Sequence, residues 1–331
     1  MILLKKIINR VINLKSFNFF FKKLRGNFVI LYYHGVADDY EIEKIKGPNK
    51  HLFVSKSNFS KQMEFLKNNK IDVISIDELY KLDFNPPKFS VVLSFDDGYK
   101  DNIKIAYPIL KEKNFPFIIY LIPKILNEEP WVWWIELWDQ LQKKNMIIID
   151  KDKIDVSTED LKISLFLRIK KKMKLLQIKA QKKMIKELFD LSSTTNMSEF
   201  FLNEKEIKLL IEDKLVTIGS HSQDHLSLKK FSKNIIYDQI NKSKIYLEKY
   251  FDISIKHFSY PYGQNEDIAF YEHEILSALG FVTSVTTMDY SYKKFNPHYL
   301  NRCSIGPNVS ENDFKRKLLG VDRILRKIFF R

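Results

Sequence analysis

Asp96 and Asp97 stand side by side at the end of a short apolar run, Phe89-Ser90-Val91-Val92-Leu93-Ser94-Phe95, and Gly98 follows them. Two adjacent carboxylates repel each other unless a cation or a shared proton relieves them. The pair therefore asks for a metal. Further along, the run 215–220 ends in His221-Ser222-Gln223-Asp224-His225. Two histidines at i and i+4 can present their imidazoles on one face of a turn or short helix. One carboxylate and two imidazoles make a zinc-type set with a position left open for water. Each half alone has an ordinary explanation, since Asp-Asp-Gly commonly makes a turn or caps a helix. Both halves together, each directly after a strand-like run, favour a metal site.

Ser94-Phe95-Asp96-Asp97-Gly98 with His221-Ser222-x-x-His225 resembles the first two motifs of the polysaccharide deacetylase family, whose domain is called the NodB homology domain. Phe258-Ser259-Tyr260-Pro261-Tyr262-Gly263 is similar to its third motif. The resemblance covers about residues 27–126 and 211–306. It implies a distorted (β/α) barrel, often of seven strands, that removes N- or O-acetyl groups from carbohydrates. It implies Asp96 as general base, Asp97, His221 and His225 as metal ligands, and the Tyr262 backbone N–H as part of an oxyanion site. The chemistry is coherent on its own terms. A divalent metal acidifies water and polarises a carbonyl, a neighbouring carboxylate takes the proton, and a histidine can protonate the leaving amine near neutral pH.

Two departures from the family pattern matter. The family's Leu-x-His element is absent after Tyr262, but Phe28-Val29-Ile30-Leu31-Tyr32-Tyr33-His34-Gly35 has the same shape at the other end of the chain. The chain thus resembles a circularly permuted member in which His34 is the general acid. The arginine that opens the third motif in much of the family is replaced by Ser259, and the later Asp-x-x-Asp-Trp element is missing. Arg302, in Tyr299-Leu300-Asn301-Arg302-Cys303-Ser304-Ile305, is the expected substitute, because the chain has only eight arginines and this one falls on a late strand. Arginine is the better fork-shaped partner for a carboxylate. A surface ion pair is the competing explanation. Asp101 reads as a turn or helix N-cap residue, and His51, His257, His273 and His298 have no partner motif.

The elements that must position these residues alternate. Strands are expected near 28–33, 72–75, 90–95, 116–122, 215–220, 256–260, 281–287 and 300–305, and helices at 57–69, 77–81, 101–113, 234–250 and 268–279. Alternation of this kind argues for a parallel α/β barrel, TIM-like, of about seven strands. Eight strands exceed seven by one, so one short strand is expected outside the barrel. The stretch 127–210 breaks the rhythm and reads as a helical insertion near the active-site face. All four tryptophans fall within Pro130-Trp131-Val132-Trp133-Trp134-Ile135-Glu136-Leu137-Trp138. They are either a sugar-stacking surface or, the favoured reading, core aromatics that anchor the insertion. The organisation expected is a basic amphipathic segment 1–26, a barrel 27–306 interrupted by the insertion, and a basic amphipathic helix 307–331.

The 331 residues carry a formal net charge of +14. Residues 1–37 hold seven Lys or Arg and no acid, and residues 315–331 hold seven against Asp322, so the two ends account for +13. No basic recognition motif accompanies this charge, which argues against nucleic acid. Apolar residues interleave with it, as basic amphipathic helices on an anionic membrane surface would require; ordinary helices packed on the barrel are the alternative. Charges interrupt every apolar run near the N-terminus, so neither a signal peptide nor a bilayer span is expected. A single cysteine, Cys303, rules out a disulfide framework within the chain. The expected protein is a cytoplasmic, peripherally membrane-associated N-deacetylase that uses Zn2+, with Co2+ or Ni2+ also compatible with such ligands. Its expected substrate is an acetylated sugar, an oligosaccharide or a lipid-linked glycan in surface polysaccharide assembly. Two rivals remain open: a non-catalytic glycan- or membrane-binding barrel, and an amidohydrolase for a non-sugar amide.

Overall fold

Val91, Val92 and Leu93 sit in the middle of a parallel sheet because both of their faces are covered. The computed structural model describes residues 26–126, 130–269, 271–289 and 295–321. The main sheet comprises β1 (Phe28–Tyr33), β2 (Asp72–Val73), β3 (Ser90–Asp97), β4 (Phe117–Leu121), β5 (Val216–Ser220), β6 (His257–Ser259), β7 (Thr283–Val285) and β8 (Cys303–Ser304). The strand order is β7-β6-β5-β4-β3-β1-β8, every pairing is parallel, and β2 lies off this path beside the start of β3. The surplus strand of the sequence reading is thus β2. Leu300, leading into β8, donates its N–H to the Ser284 carbonyl and accepts from Thr286 N–H, so the sheet curls until its two edges touch. The result is the expected distorted α/β barrel.

Alternation along the strands decides what faces where. Ile30, Val92, Ile118, Tyr120, Val285 and Leu300 pack together inside the curl with Ile76 and Leu79. Leu31, Leu93, Phe117 and Ile119 point outward, into the apolar faces of surrounding helices. One such helix, Lys56–Asn68, buries Phe59, Gln62, Met63 and Leu66, a stripe of helical period. Its N-cap is Ser55, whose Oγ accepts from Asn58 N–H at 3.3 Å. Another, Lys233–Phe251, buries Ile236, Ile240, Leu247 and Phe251 against the same core.

The interrupting segment has a core of its own, which contains all four tryptophans. It differs from the expected all-helical insertion in two ways. Between the helices Trp133–Gln142 and Glu159–Met173 runs an antiparallel hairpin, Met146–Ile149 against Asp152–Asp155. The helix Glu204–Ile211, capped by a reciprocal Asn203–Glu206 box, buries Ile207 and Leu210 in the barrel core and so belongs to the barrel.

The expected amphipathic segment 1–26 lies, apart from Gly26, outside the described residues, as does 322–331. The described part of the C-terminal helix, Glu311–Leu318, buries Phe314, and Leu318, Leu319 and Val321 are buried with it. That part packs on the barrel. Among the described residues, no helix is long and apolar enough to cross a membrane.

Candidate active site

The register of the sheet brings the chemistry to one end. Asp97 pairs with Leu121 across β3–β4, and Leu121 with Ser220 across β4–β5. His221 is therefore one residue beyond the row that ends with Asp97. A regular strand would send Asp96 and Asp97 to opposite faces. Asp97 has a φ of 71°, which breaks the alternation. Ser222, His225 and Tyr262 are also left-handed, at φ 61°, 55° and 60°. Non-glycine residues held this way cost about 1–3 kcal/mol each and mark positions that the surroundings over-determine.

Asp97 Oδ1 lies 3.4 Å from His221 Nε2 and 3.5 Å from His225 Nε2, and all three side chains are buried. His221 Nδ1 is 2.8 Å from the Ser259 carbonyl oxygen. That contact assigns the proton to Nδ1 and leaves the Nε2 lone pair facing Asp97. Asp97 Oδ1 is buried without a hydrogen-bond partner, an expensive state for a carboxylate oxygen. Burial pushes the His225 pKa down to about 3, so its imidazole is neutral, the form a metal ligand needs. One orphaned carboxylate oxygen and two Nε2 atoms converge on one point, and this donor set fits a divalent metal.

Asp96 faces the barrel interior with Ser94, two residues earlier, and both meet Arg302. Arg302 Nη1 donates to Asp96 Oδ1 at 2.8 Å and Nη2 to Asp96 Oδ2 at 2.6 Å. The remaining donors go to Ser259 Oγ at 3.0 Å, Ser94 Oγ at 3.3 Å and, from Nε, the Thr286 carbonyl at 2.8 Å. The Tyr32 ring lies 4.5 Å from the guanidinium carbon. Arg302 is 1% exposed, so the surface ion pair entertained above is not what forms. Burial alone would raise the Asp96 pKa, but the Arg302 guanidinium overrides it and holds the carboxyl far below its usual range. Ser259, where much of the family has arginine, leaves room for Arg302 and accepts one of its bonds.

His34 follows β1 directly and lies within the field of Asp97, Asp96, Arg302 and His221; burial lowers its pKa. Tyr262 packs on His225 with ring centroids 4.6 Å apart. All seven residues singled out in the sequence come together at this end of the barrel. Asp101 stands at the expected N-cap position, before Asn102–Ala106. Its carboxylate makes no helix cap but accepts from Asn102 Nδ2 at 3.0 Å and from Val36 N–H, and burial raises its pKa to about 7.

The sequence did not announce what the insertion does here. Trp134 stacks obliquely on His225 at 4.9 Å and donates from Nε1 to Tyr99 Oη at 3.1 Å. Trp133 donates from Nε1 to Tyr262 Oη at 3.0 Å. The four tryptophans are 3–7% exposed, the core reading rather than a sugar platform. Lys174 places its ammonium 4.6 Å from the Tyr262 ring centroid and pairs with buried Asp267 at 2.8 Å. A lone lysine in a lysine-rich stretch carries no sequence signal of such a role. His257 bonds Asp77 and Thr283 at the start of β6, away from the site.

The chain spans 33% of YxkH of Bacillus subtilis, a relative bearing the same family name, at 29% identity over 103 residues, 30% of this chain. It spans 56% of the poly-beta-1,6-N-acetyl-D-glucosamine N-deacetylase of Staphylococcus aureus, at 26% identity over 220 residues, 66% of this chain. Among solved structures, the Streptococcus pyogenes deacetylase PplD in complex with acetate superposes with a TM-score of 0.57 at 19% identity, covering 88% of this chain and 97% of its own. IcaB from Ammonifex degensii gives 0.55 at 15%, covering 89% and 97%. These two likenesses speak for the fold. The family model for polysaccharide deacetylases matches residues 83–152 and 166–283, more than half of the chain and both halves of the Asp97–His221–His225 set, and the protein belongs to that family.

Proposed function

We propose that the protein is a metal-dependent carbohydrate N-deacetylase acting on an acetylated hexosamine within a surface glycan. The observation that carries this reading is the division of labour at the end of β3. Asp97 is left with a bare oxygen facing two imidazoles, while Asp96 is locked and ionised by Arg302. A binding protein on the same barrel would have no use for the second arrangement. The relative whose name specifies poly-beta-1,6-N-acetyl-D-glucosamine makes an N-acetylglucosamine polymer the first substrate to try.

Asp97, His221 and His225 would hold the divalent metal, zinc by preference of the donor set, and when bound it supplies Lewis acidity toward water and the acetyl carbonyl. The protein's own groups do the rest. Asp96 takes a proton from the attacking water as the new C–O bond forms. The Arg302 guanidinium favours the ionised form of that carboxylate, the form that accepts a proton. The Tyr262 N–H, presented by its left-handed backbone, donates to the oxyanion. His34, whose pKa burial lowers, passes the proton that Asp96 took on to the departing nitrogen as the C–N bond breaks, leaving acetate and a free amine. The same proposal sets the protein at an anionic cytoplasmic membrane surface, supported by the +13 carried by the chain ends. Binding to neutral and anionic vesicles alike would count against that setting.

The test is acetate release from N-acetylglucosamine oligomers, from O-acetylated sugars and from simple acetamides, with metal content measured alongside. His221→Ala and Asp97→Asn should each lose both bound metal and acetate release. Full activity in either variant would sink the mechanism, and preference for simple acetamides would sink the sugar assignment.

A further inference from the structure

The helix Ile178–Phe189 carries Lys179, Lys182, Lys183 and Lys186, spaced i, i+3, i+4 and i+7, along one side of a cavity of about 640 Å³. Like charges at these spacings weaken a helix. Glu187 is the one carboxylate among the described lining residues, and it contacts Lys183 at 3.7 Å with both side chains well exposed. The described lining residues therefore carry a net positive charge, and their concave arrangement concentrates that potential.

The opposite wall, the turn 193–196, is fixed rather than loose. Thr195 donates its N–H to Glu136 Oε2 at 2.7 Å and its hydroxyl to Oε1 at 3.0 Å. Glu136 is fully buried and also accepts from Trp131 Nε1 at 3.3 Å and Gln140 Nε2 at 2.8 Å. Lys182 lies 5.4 Å from the Trp131 ring centroid. The helix that carries Glu136, Trp133–Gln142, is the same one that sets Trp134 against His225 and Trp133 against Tyr262. This helix thus touches both the cavity wall, through Glu136 and Thr195, and the candidate active site.

We propose that this cavity is a subsite for a phosphate group of the substrate, so that the enzyme takes a phosphate-bearing glycan whose acetylated sugar reaches Asp97, His221 and His225. The substrate half of this inference rests on the deacetylase reading; the anion site does not. Lysine ammoniums suit a phosphate, which accepts point charges from several directions, whereas a carboxylate favours the planar fork of arginine, and no arginine is among the described lining residues. The volume is that of a sugar-phosphate-sized ligand rather than of a lone ion.

Two measurements test it, using wild type, Asp97→Asn and the double variant Lys179→Gln/Lys183→Gln, whose changes fall on exposed side chains. First, inorganic pyrophosphate is titrated calorimetrically. Saturable binding is expected, unchanged in Asp97→Asn and weakened about tenfold in the lysine variant. Binding that is unsaturable, or indifferent to the lysine change, overturns the site. Second, KM is compared for matched N-acetylglucosamine oligosaccharides with and without a phosphate. The lysine variant should raise KM about tenfold for the phosphorylated substrate and leave the neutral one unchanged. Equal KM values in wild type, with pyrophosphate still bound at the lysines, overturn the glycan assignment in favour of a free phosphate ligand. Pyrophosphate bound at the lysines with acetate released from neither substrate refutes the deacetylase reading and supports the anion site.

Discussion

Arg302 grips Asp96 with both prongs of its guanidinium, and both side chains are buried. The pair reaches across β1, which lies between β3, where Asp96 is the next-to-last residue, and β8, which Arg302 precedes. Arg302→Lys keeps the charge but loses the fork. It should fold and lower kcat roughly 10- to 100-fold with little change in KM. Arg302→Met leaves a buried carboxylate unpaired and should cost about 3–5 kcal/mol in urea unfolding. Asp96→Asn should lower kcat about 10²–10⁴-fold while keeping stoichiometric metal. Wild-type kcat in Arg302→Lys would show that the grip serves folding alone.

Metal should stabilise the fold as well as serve the reaction, because Asp97 Oδ1 is buried without a hydrogen-bond partner and two imidazole Nε2 atoms face it. A ligand at 100 times its Kd adds about 2.7 kcal/mol to the native state. Adding Zn2+ to chelator-stripped protein should raise Tm by several degrees, and Asp97→Ala should abolish the increase. An unchanged Tm in stripped wild type would argue that the triad binds no metal.

Asp101 gives a pH dependence of unusual sign. Its folded pKa, raised by burial to about 7, exceeds the value of about 3.9 for an unfolded aspartate. The native state therefore binds this proton more tightly than the unfolded state. The associated stability is complete below about pH 4 and is lost as pH rises toward 7, amounting to roughly 2–4 kcal/mol. Asp101→Asn keeps an acceptor for Val36 N–H and removes the charge. The stability advantage of this variant over wild type should grow between pH 4.5 and pH 8 in urea unfolding. An advantage independent of pH would contradict the burial argument.

The barrel was readable because each strand is a short apolar run between polar turns, and because the alternation of strand and helix allows few other folds. Asp97, His221 and His225 were readable from ligand types at the ends of such runs. Arg302 could be picked out only because arginine is rare in this chain, and its partner Ser259 looked like a loss until the two proved to touch. Lys174, Trp133 and Trp134 could not be placed in advance. Their contacts with Tyr262 and His225 cross from an insertion into the barrel, and neither periodicity nor spacing encodes which side of an inserted unit will meet the site. Asp101 stands at the expected N-cap position, but its carboxylate makes no cap bond. Val36, in the short strand Gly35–Ala37 that follows β1, takes the carboxylate instead.

Lys174 offers the sharpest test of whether the insertion is part of the active site. Its ammonium serves two partners: Asp267, whose side chain is fully buried and also accepts from Ser227 Oγ at 2.6 Å, and the face of the Tyr262 ring. Lys174→Met should cost about 3–5 kcal/mol, because it strands a buried carboxylate. The double variant Lys174→Met/Asp267→Asn removes that charge and should recover most of the stability. It does not restore a cation over Tyr262, so kcat should stay depressed about three- to tenfold in both variants, with metal affinity unchanged. If kcat recovers together with stability, the ion pair only fastens the insertion; if kcat stays low in the stable double variant, Lys174 positions Tyr262.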